Sequence, residues 1–416
     1  MMTDFKKIGG LGIAAAMLIG PLAACGSSSA SSSSSSTGTS NVQLTVWAPQ
    51  EDQQNASSWL PTLEASFAKA HPEYKITWKN SVVSEGDAGT TVKQDPSAAA
   101  DVYMFSNDQL GTLVSADAIG ELSDSALAQV KKQNSKQMLT SVTQGGKVYG
   151  VPYTGNTWFM YYNKSKFSAN DVSSLDAMLK KGKVSFPITN SWYLPAFYLG
   201  NGNTLFGKNG TDSKAGVDFS GSKASDVTKY LVSLSKNPNF VSDANGSGLA
   251  GLGNGSVDVL FSGSWDSENV KKALGDNYAA AQLPKYDLNG KSVQMEAFAG
   301  SKAVAYNPNT KYPQAASEFA AYLGSSQAQK LHYTMRGIIP SDQSLLKDKA
   351  ITADPVAVAQ NDTINATSIL QPTVAAMSNF WTPAENFGKA IMNGDVTAEN
   401  AVAKTEAWNS AYSNTK

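Results

Sequence analysis

The residues able to do covalent or metal chemistry are few. Cys25 is the single thiol, His71 and His332 are the two imidazoles, and Arg336 is the one guanidinium in 416 residues. One cysteine forms no disulfide within its own chain. A histidine-based metal site or a Ser–His dyad would have to use one of two histidines far apart in sequence, both in helix-end contexts that suit structural or surface roles. Gly246 to Gly251 spell the glycine pattern of dinucleotide sites, with Asp266 twenty residues after the first glycine. Phe240 to Asn245 reads as a loop, however, and a strand follows, so the strand–turn–helix context is missing. Asp287-Leu288-Asn289-Gly290 begins like a calcium loop, but its twelfth position is Phe298, which offers no bidentate carboxylate. No metal and no cofactor are expected. The aromatic content stands out: eight Trp and sixteen Tyr against a net charge of −1 and 16% charged residues, where about 25% is usual. Nucleic acid, which wants clustered basic residues, is an unsuitable partner. An uncharged ligand whose faces aromatic rings can cover suits this composition better.

The thiol has a different use. Lys6 and Lys7 precede an uncharged apolar run, Ile8 to Leu22, and residues 1–24 read as a secretory signal. Leu22-Ala23-Ala24-Cys25 resembles a bacterial lipobox. That resemblance implies cleavage before Cys25, a diacylglycerol on its sulfur, and a protein held by lipid at the extracellular face of the cytoplasmic membrane. Residues 25–41 then form a Ser-rich tether with too few apolar side chains to bury a core. The apolar run is too short for a lasting membrane span.

The remaining chain is too long for one ordinary core and suggests two lobes. Val42 to Trp47 reads as a strand, followed by a helix carrying Leu60, Leu63, Phe67 and Ala70 at helical spacing. Tyr74 to Trp78 and Asp101 to Phe105 read as further strands, so strand–helix–strand order argues for α/β with largely parallel sheets. Two extended runs, Lys147 to Pro152 and Trp158 to Asn163, are interrupted at Tyr153–Asn156. Val257 to Ser262 and Ala303 to Tyr306 read as strands, and Asn289-Gly290 as a tight turn. The chain ends in a helix with Ala401, Thr405, Trp408 and Tyr412 on one face.

Several segments, in order, resemble the extracellular solute-binding proteins of bacterial ABC sugar importers, in the maltose/maltodextrin-binding class. They are Leu44-Thr45-Val46-Trp47, Ala100 to Phe105, Gly146 to Pro152 with Tyr162-Asn163-Lys164, Gly255 to Trp265, and Asn379-Phe380-Trp381. The resemblance implies a two-lobe periplasmic-binding-protein-like α/β fold with a hinge and an interlobe ligand cleft. Lobe 1 would be 42–154 plus 302–338 and lobe 2 would be 155–298 plus 342–416, with crossings at 299–301 and 339–341. Gly300 and Gly337 would absorb the hinge rotation, because glycine tolerates unusual dihedrals. It further implies a non-enzymatic monomer that captures an α-glucan oligosaccharide and hands it to ABC transporter permease subunits.

A pyranose presents apolar C–H faces and a rim of hydroxyls. Rings cover the faces at little entropic cost, and Asp, Glu, Asn and Gln bond the rim. Trp265 follows the strand Val257 to Ser262, where α/β crevices form. The resemblance makes Trp265, Trp381 and Trp192 stacking residues, with Tyr193 beside them and Phe105 on the opposite lobe. It makes Glu51, Asp52, Asp108 and Asn156 hydroxyl partners, with Trp158 one strand step from Asn156. Asn156 stands where a carboxylate is familiar, Gln109 where a basic residue is, and Asp52 where a lysine is. These departures leave chain length and linkage open, with isomalto-, galacto- or xylo-oligosaccharides as alternatives. A surface glycoside hydrolase needs only two carboxylates and is the other class, and a surface adhesin a third. Trp47, Trp78, Trp59 and Trp408, inside strands and amphipathic helices, are expected to pack rather than bind.

Overall fold

Val42, Leu44, Val46 and Ala48 are buried and alternate with more exposed neighbours, the period of two that makes one face of a strand. They form β1 (Ser40–Ala48) in a computed structural model that describes residues 39–413, apart from 96, 97 and 245. The signal segment, Cys25 and most of the Ser-rich stretch lie outside the described residues. The tether expected to reach residue 41 ends earlier, because Ser40 already pairs with Tyr74.

β1 pairs in parallel with β2 (Tyr74–Val82) and β3 (Val102–Ser106). Helix α1 (Trp59–Ala70) supplies the crossover and buries Leu60, Leu63 and Phe67. Ala70, expected on that face, is exposed. A long strand, Ala297–Tyr306, lies antiparallel to β3 and to Val151–Asn156. Its first three residues pair in parallel with Ser368–Leu370. The second sheet runs Phe240–Ser242, Val184–Phe186, Val259–Ser262, Phe159–Asn163, Tyr278–Ala281, its first three strands parallel and the rest antiparallel. Both sheets are therefore mixed rather than largely parallel, because Ala297–Tyr306 in the first and Phe159–Asn163 in the second run against their neighbours. Each sheet has its own apolar core: Trp59, Phe67 and Phe319 pack on the first, Phe186, Phe197 and Phe261 on the second.

Three further readings change. Tyr153 to Asn156 does not interrupt two runs; it is itself strand, fully buried and paired with Gly300 to Lys302. Phe240–Ser242 is strand and Ser247–Asn254 is helix, so the glycine pattern does sit between strand and helix. A three-residue strand is too short to announce itself by periodicity. The N-terminal turn is filled from within the chain: Asp243 Oδ1 accepts the Gly248 N–H at 2.9 Å and the Ser247 hydroxyl at 3.2 Å. The place where a phosphate would sit is taken by a carboxylate. The two glycines expected at the hinge also divide. Gly337 has φ 67° and ends the helix Ser326–Arg336, whereas Gly300 has no positive φ. Gly300 is required by space, since a Cβ there would lie 2.0 Å from the buried Asn107 side chain.

The Asn289-Gly290 turn is as read, with φ of 55° and 79° between Lys285–Leu288 and Lys291–Gln294. On the C-terminal helix, Ala401, Thr405 and Trp408 are buried together, Trp408 stacking on Phe387 at 4.4 Å. Trp47 and Trp59 are buried, and Trp78 packs on Phe319 at 4.6 Å.

Tight packing gives a paired stability test. A Cβ on Gly200 would fall 1.8 Å from the Gln294 backbone carbonyl, whereas one on Gly253 meets nothing nearer than 4.0 Å. Gly200→Ala is expected to lose about 2–3 kcal/mol in urea unfolding, and Gly253→Ala, inside a helix, to gain up to about 1 kcal/mol.

Candidate functional site

The carboxyl ends of β1 and β2 deliver Glu51, Asp52 and Glu85 to one edge of the first sheet, and the second sheet delivers Ser264 and Trp265 opposite them. Together with Tyr153 and Lys302 they line a cleft. Trp265 sits on a single turn, Ser264–Asp266, after the strand Val259–Ser262, and is 40% exposed, which leaves an indole face for a ligand. Gly263 makes room for that ring, since a Cβ there would lie 2.1 Å from it. Trp192 stands 6.0 Å away, tilted 39°, and its Nε1–H donates to Gln371 Oε1 at 2.7 Å.

The opposite wall is charged but internally paired. Asp52 is buried, and its Oδ1 lies 2.9 Å from both His332 Nε2 and Arg336 Nη1. Desolvation pushes its carboxyl up, but the charges and hydrogen bonds of His332 and Arg336 outweigh this and leave it below the ordinary value. His332 is held flat against Trp59, with ring centroids 4.1 Å apart. Glu85 accepts the Tyr153 hydroxyl at 2.5 Å and lies 3.3 Å from Lys302 Nζ. Burial raises the Glu85 carboxyl, yet the Lys302 ammonium and the Tyr153 hydroxyl bring it below its usual range. The same ammonium sits 5.9 Å over the Trp265 ring, a cation–π contact that reaches across the cleft.

The residues expected here divide by burial. Trp265, Trp192, Glu51 and Asp52 are brought to the cleft or its edge, Glu51 exposed. Tyr193 is buried and meets Trp192 edge-on at 5.6 Å. Trp158 is fully buried, stacked 4.6 Å behind Tyr193, so it supports that ring instead of facing ligand. Phe105 is also fully buried, because its side of β3 packs into the core. Asn156 is buried at the end of its strand, paired with Gly300. Trp381, half-buried, has ring contacts with Phe298 and Phe380 and is not joined by them to Trp192 or Trp265. Asp108 follows β3, and desolvation raises its carboxyl to about 7. Asp52, expected to bond sugar, is instead committed by Oδ1 to an internal ion pair.

Glu85, Tyr153, Lys302 and Arg336 were not legible as site residues, because they come from four separate segments. One signal was available for Lys302: it is the one charge within the apolar strand Ala297–Tyr306.

The chain resembles known proteins over nearly all its length. The sequence profile of bacterial extracellular solute-binding proteins matches residues 62–359. A maltooligosaccharide ABC transporter solute-binding lipoprotein of Streptococcus pneumoniae is 26% identical over 96% of each chain. Maltodextrin binding protein MalE1 from L. casei, solved without ligand, is 30% identical, with TM-score 0.81 over 90% of this chain and 99% of that one. A structure with acarbose is 48% identical, with TM-score 0.86 over 89% of this chain and 98% of that one.

The Asp52 cluster makes stability depend on acid. Carboxyls held low when folded contribute stability that is present above their unfolded values near 4 and lost as pH falls through the folded ones. The thermal midpoint is expected to drop between about pH 5 and pH 3, with a shallower slope in Asp52→Asn. At neutral pH, Asp52→Asn is expected to cost about 3–5 kcal/mol, because Arg336 and His332 lose their partner. Adding Arg336→Met should restore part of that loss in the same unfolding assay.

Proposed function

Since the chain belongs to the bacterial extracellular solute-binding protein family, we propose that its cleft captures α-glucan oligosaccharides of the maltodextrin type and delivers them to the permease of an ABC importer. The observation that carries this reading is the exposed Trp265 face set opposite carboxylates. A sugar ring stacks on the indole and its hydroxyls reach Glu51 and the Glu85–Lys302 pair. The two sides of the cleft come from different sheets, so a ligand that touches both favours the closed arrangement and shifts the population toward it. The closed form is what the permease reads. The named relatives that bind maltooligosaccharide and maltodextrin support the ligand class.

Asp52 and Glu85, the buried carboxylates of the cleft, are paired with cations that hold both below their ordinary range, the reverse of what a general acid requires. Capture without chemistry is the function proposed. Lobe 1 is proposed as 42–154 plus 302–338 and lobe 2 as 155–298 plus 342–416. The protein works as a monomer, anchored through lipid on Cys25.

Intrinsic tryptophan fluorescence is expected to shift saturably with maltose and maltotriose and not with xylobiose, and maltotriose is expected to remain uncut. Trp265→Ala should weaken binding about tenfold or more. No response to any α-1,4 sugar would remove the ligand class, and smaller sugars released from maltotriose would make the protein an enzyme. Cys25→Ser in the producing cell is expected to move the protein from the membrane fraction to the medium or soluble fraction.

A further inference from the structure

We propose that His71, Glu73 and Glu318 form a site for one divalent transition-metal ion of the Zn²⁺ class, at the end of the first sheet away from the cleft.

Three segments converge there. His71 closes α1: its N–H donates to the Phe67 carbonyl at 2.9 Å, and its own carbonyl accepts the Tyr74 N–H at 3.1 Å. Glu73 immediately precedes β2, and Glu318 comes from the helix Pro313–Leu323. One donor atom from each residue lies within 4.8 Å of the other two. His71 Nδ1 is 2.9 Å from Glu73 Oε1 and 3.9 Å from Glu318 Oε2. Donor atoms bound at about 2.0 Å by a tetrahedral zinc stand about 3.3 Å apart. Both glutamates are partly exposed, and shifts of about 1 Å in their side chains complete the set.

The cluster holds more negative charge than a plain ion pair needs. Nδ1 carries one proton or one lone pair, so it serves one carboxylate, yet two approach it. Among the described residues, neither carboxylate has a Lys or Arg within salt-bridge distance. A cation between them supplies the missing charge and takes the Nδ1 lone pair, with the ring proton on Nε2.

The donors are also held by neighbours, as metal ligands are. The His71 ring packs 4.2 Å from Phe67 and lies within 17° of parallel to Tyr74. The Tyr74 hydroxyl donates to Glu318 Oε2 at 3.0 Å, and Gln314 Nε2 donates to Oε1 at 3.1 Å. One imidazole with two carboxylates suits zinc-like ions, whereas Ca²⁺ takes six to eight oxygens. Three protein donors leave a fourth position for water. The bound ion ties the turn between α1 and β2 to the helix Pro313–Leu323. It does so where β1 begins, since the Ser40 N–H donates to the Glu73 carbonyl at 2.8 Å.

The test is calorimetric titration of the purified, chelator-treated protein with ZnCl₂, repeated with CaCl₂. One Zn²⁺ per chain is expected, with Kd about 10 μM or tighter, and Ca²⁺ at least about a hundredfold weaker. His71→Gln and Glu318→Gln are each expected to weaken Zn²⁺ about tenfold or more. Thermal melts check that both variants fold, and Glu318→Gln, which keeps the side-chain size, answers alone should His71→Gln unfold. No Zn²⁺ binding would overturn the site. Equal affinity for Ca²⁺ would overturn it too, as would Zn²⁺ binding left unchanged in the folded variants.

Discussion

One strand constrains both halves of this molecule. Ala297–Tyr306 is a ladder partner in three directions: its start holds Ser368–Leu370, its end holds β3, and its middle holds Val151–Asn156. Within it, Gly300 leaves room for Asn107, whose Oδ1 accepts the Ser301 N–H at 3.1 Å, and Ser301 Oγ meets Ser141 Oγ at 2.6 Å. These buried contacts fix where the next residue points. That residue is Lys302, whose ammonium reaches Glu85 and the Trp265 ring. The geometry of the cleft is therefore inherited from the register of this strand, and a register slip of one residue would turn Lys302 to the other face.

A cleft for a neutral ligand is lined by ions, and the physical reason is organisation. An isolated buried carboxylate is costly, but one with fixed cationic partners holds its orientation without solvent. Asp52 spends the chain's single arginine and one of its two histidines on such pairing. Tyr153 and Lys302 do the same for Glu85. The sugar then meets groups already placed, so little ordering remains to be done on binding.

The fold was legible where apolar periodicity ran long enough. β1 and α1 carry apolar side chains at the spacing their packing requires, whereas β3 shows itself as an unbroken apolar run, buried along its whole length. Short pieces escaped: Phe240–Ser242 is held by its neighbour Val184–Phe186 and not by any pattern of its own. In the cleft, Trp265 was legible because it follows a buried strand at the sheet edge. Trp158 and Phe105 were not separable from it by type, since an indole or phenyl at a strand end serves core and ligand equally, and only burial decides. The charged residues were the least legible. Asp52 meets His332 and Arg336 across 280 and 284 positions of sequence, a pairing that spacing does not encode.

β1 has a mechanical consequence. All nine of its residues pair with β2 in parallel register, beginning at Ser40. Tension applied from that end runs along the strand axis and loads the ladder in shear, so the hydrogen bonds resist together instead of opening one after another like a zip. The cleft residues Glu51 and Asp52 lie beyond the other end of the strand, about 26 Å away at 3.3 Å per residue. A pull on the N-terminal side is thus absorbed by the sheet before it reaches the cleft.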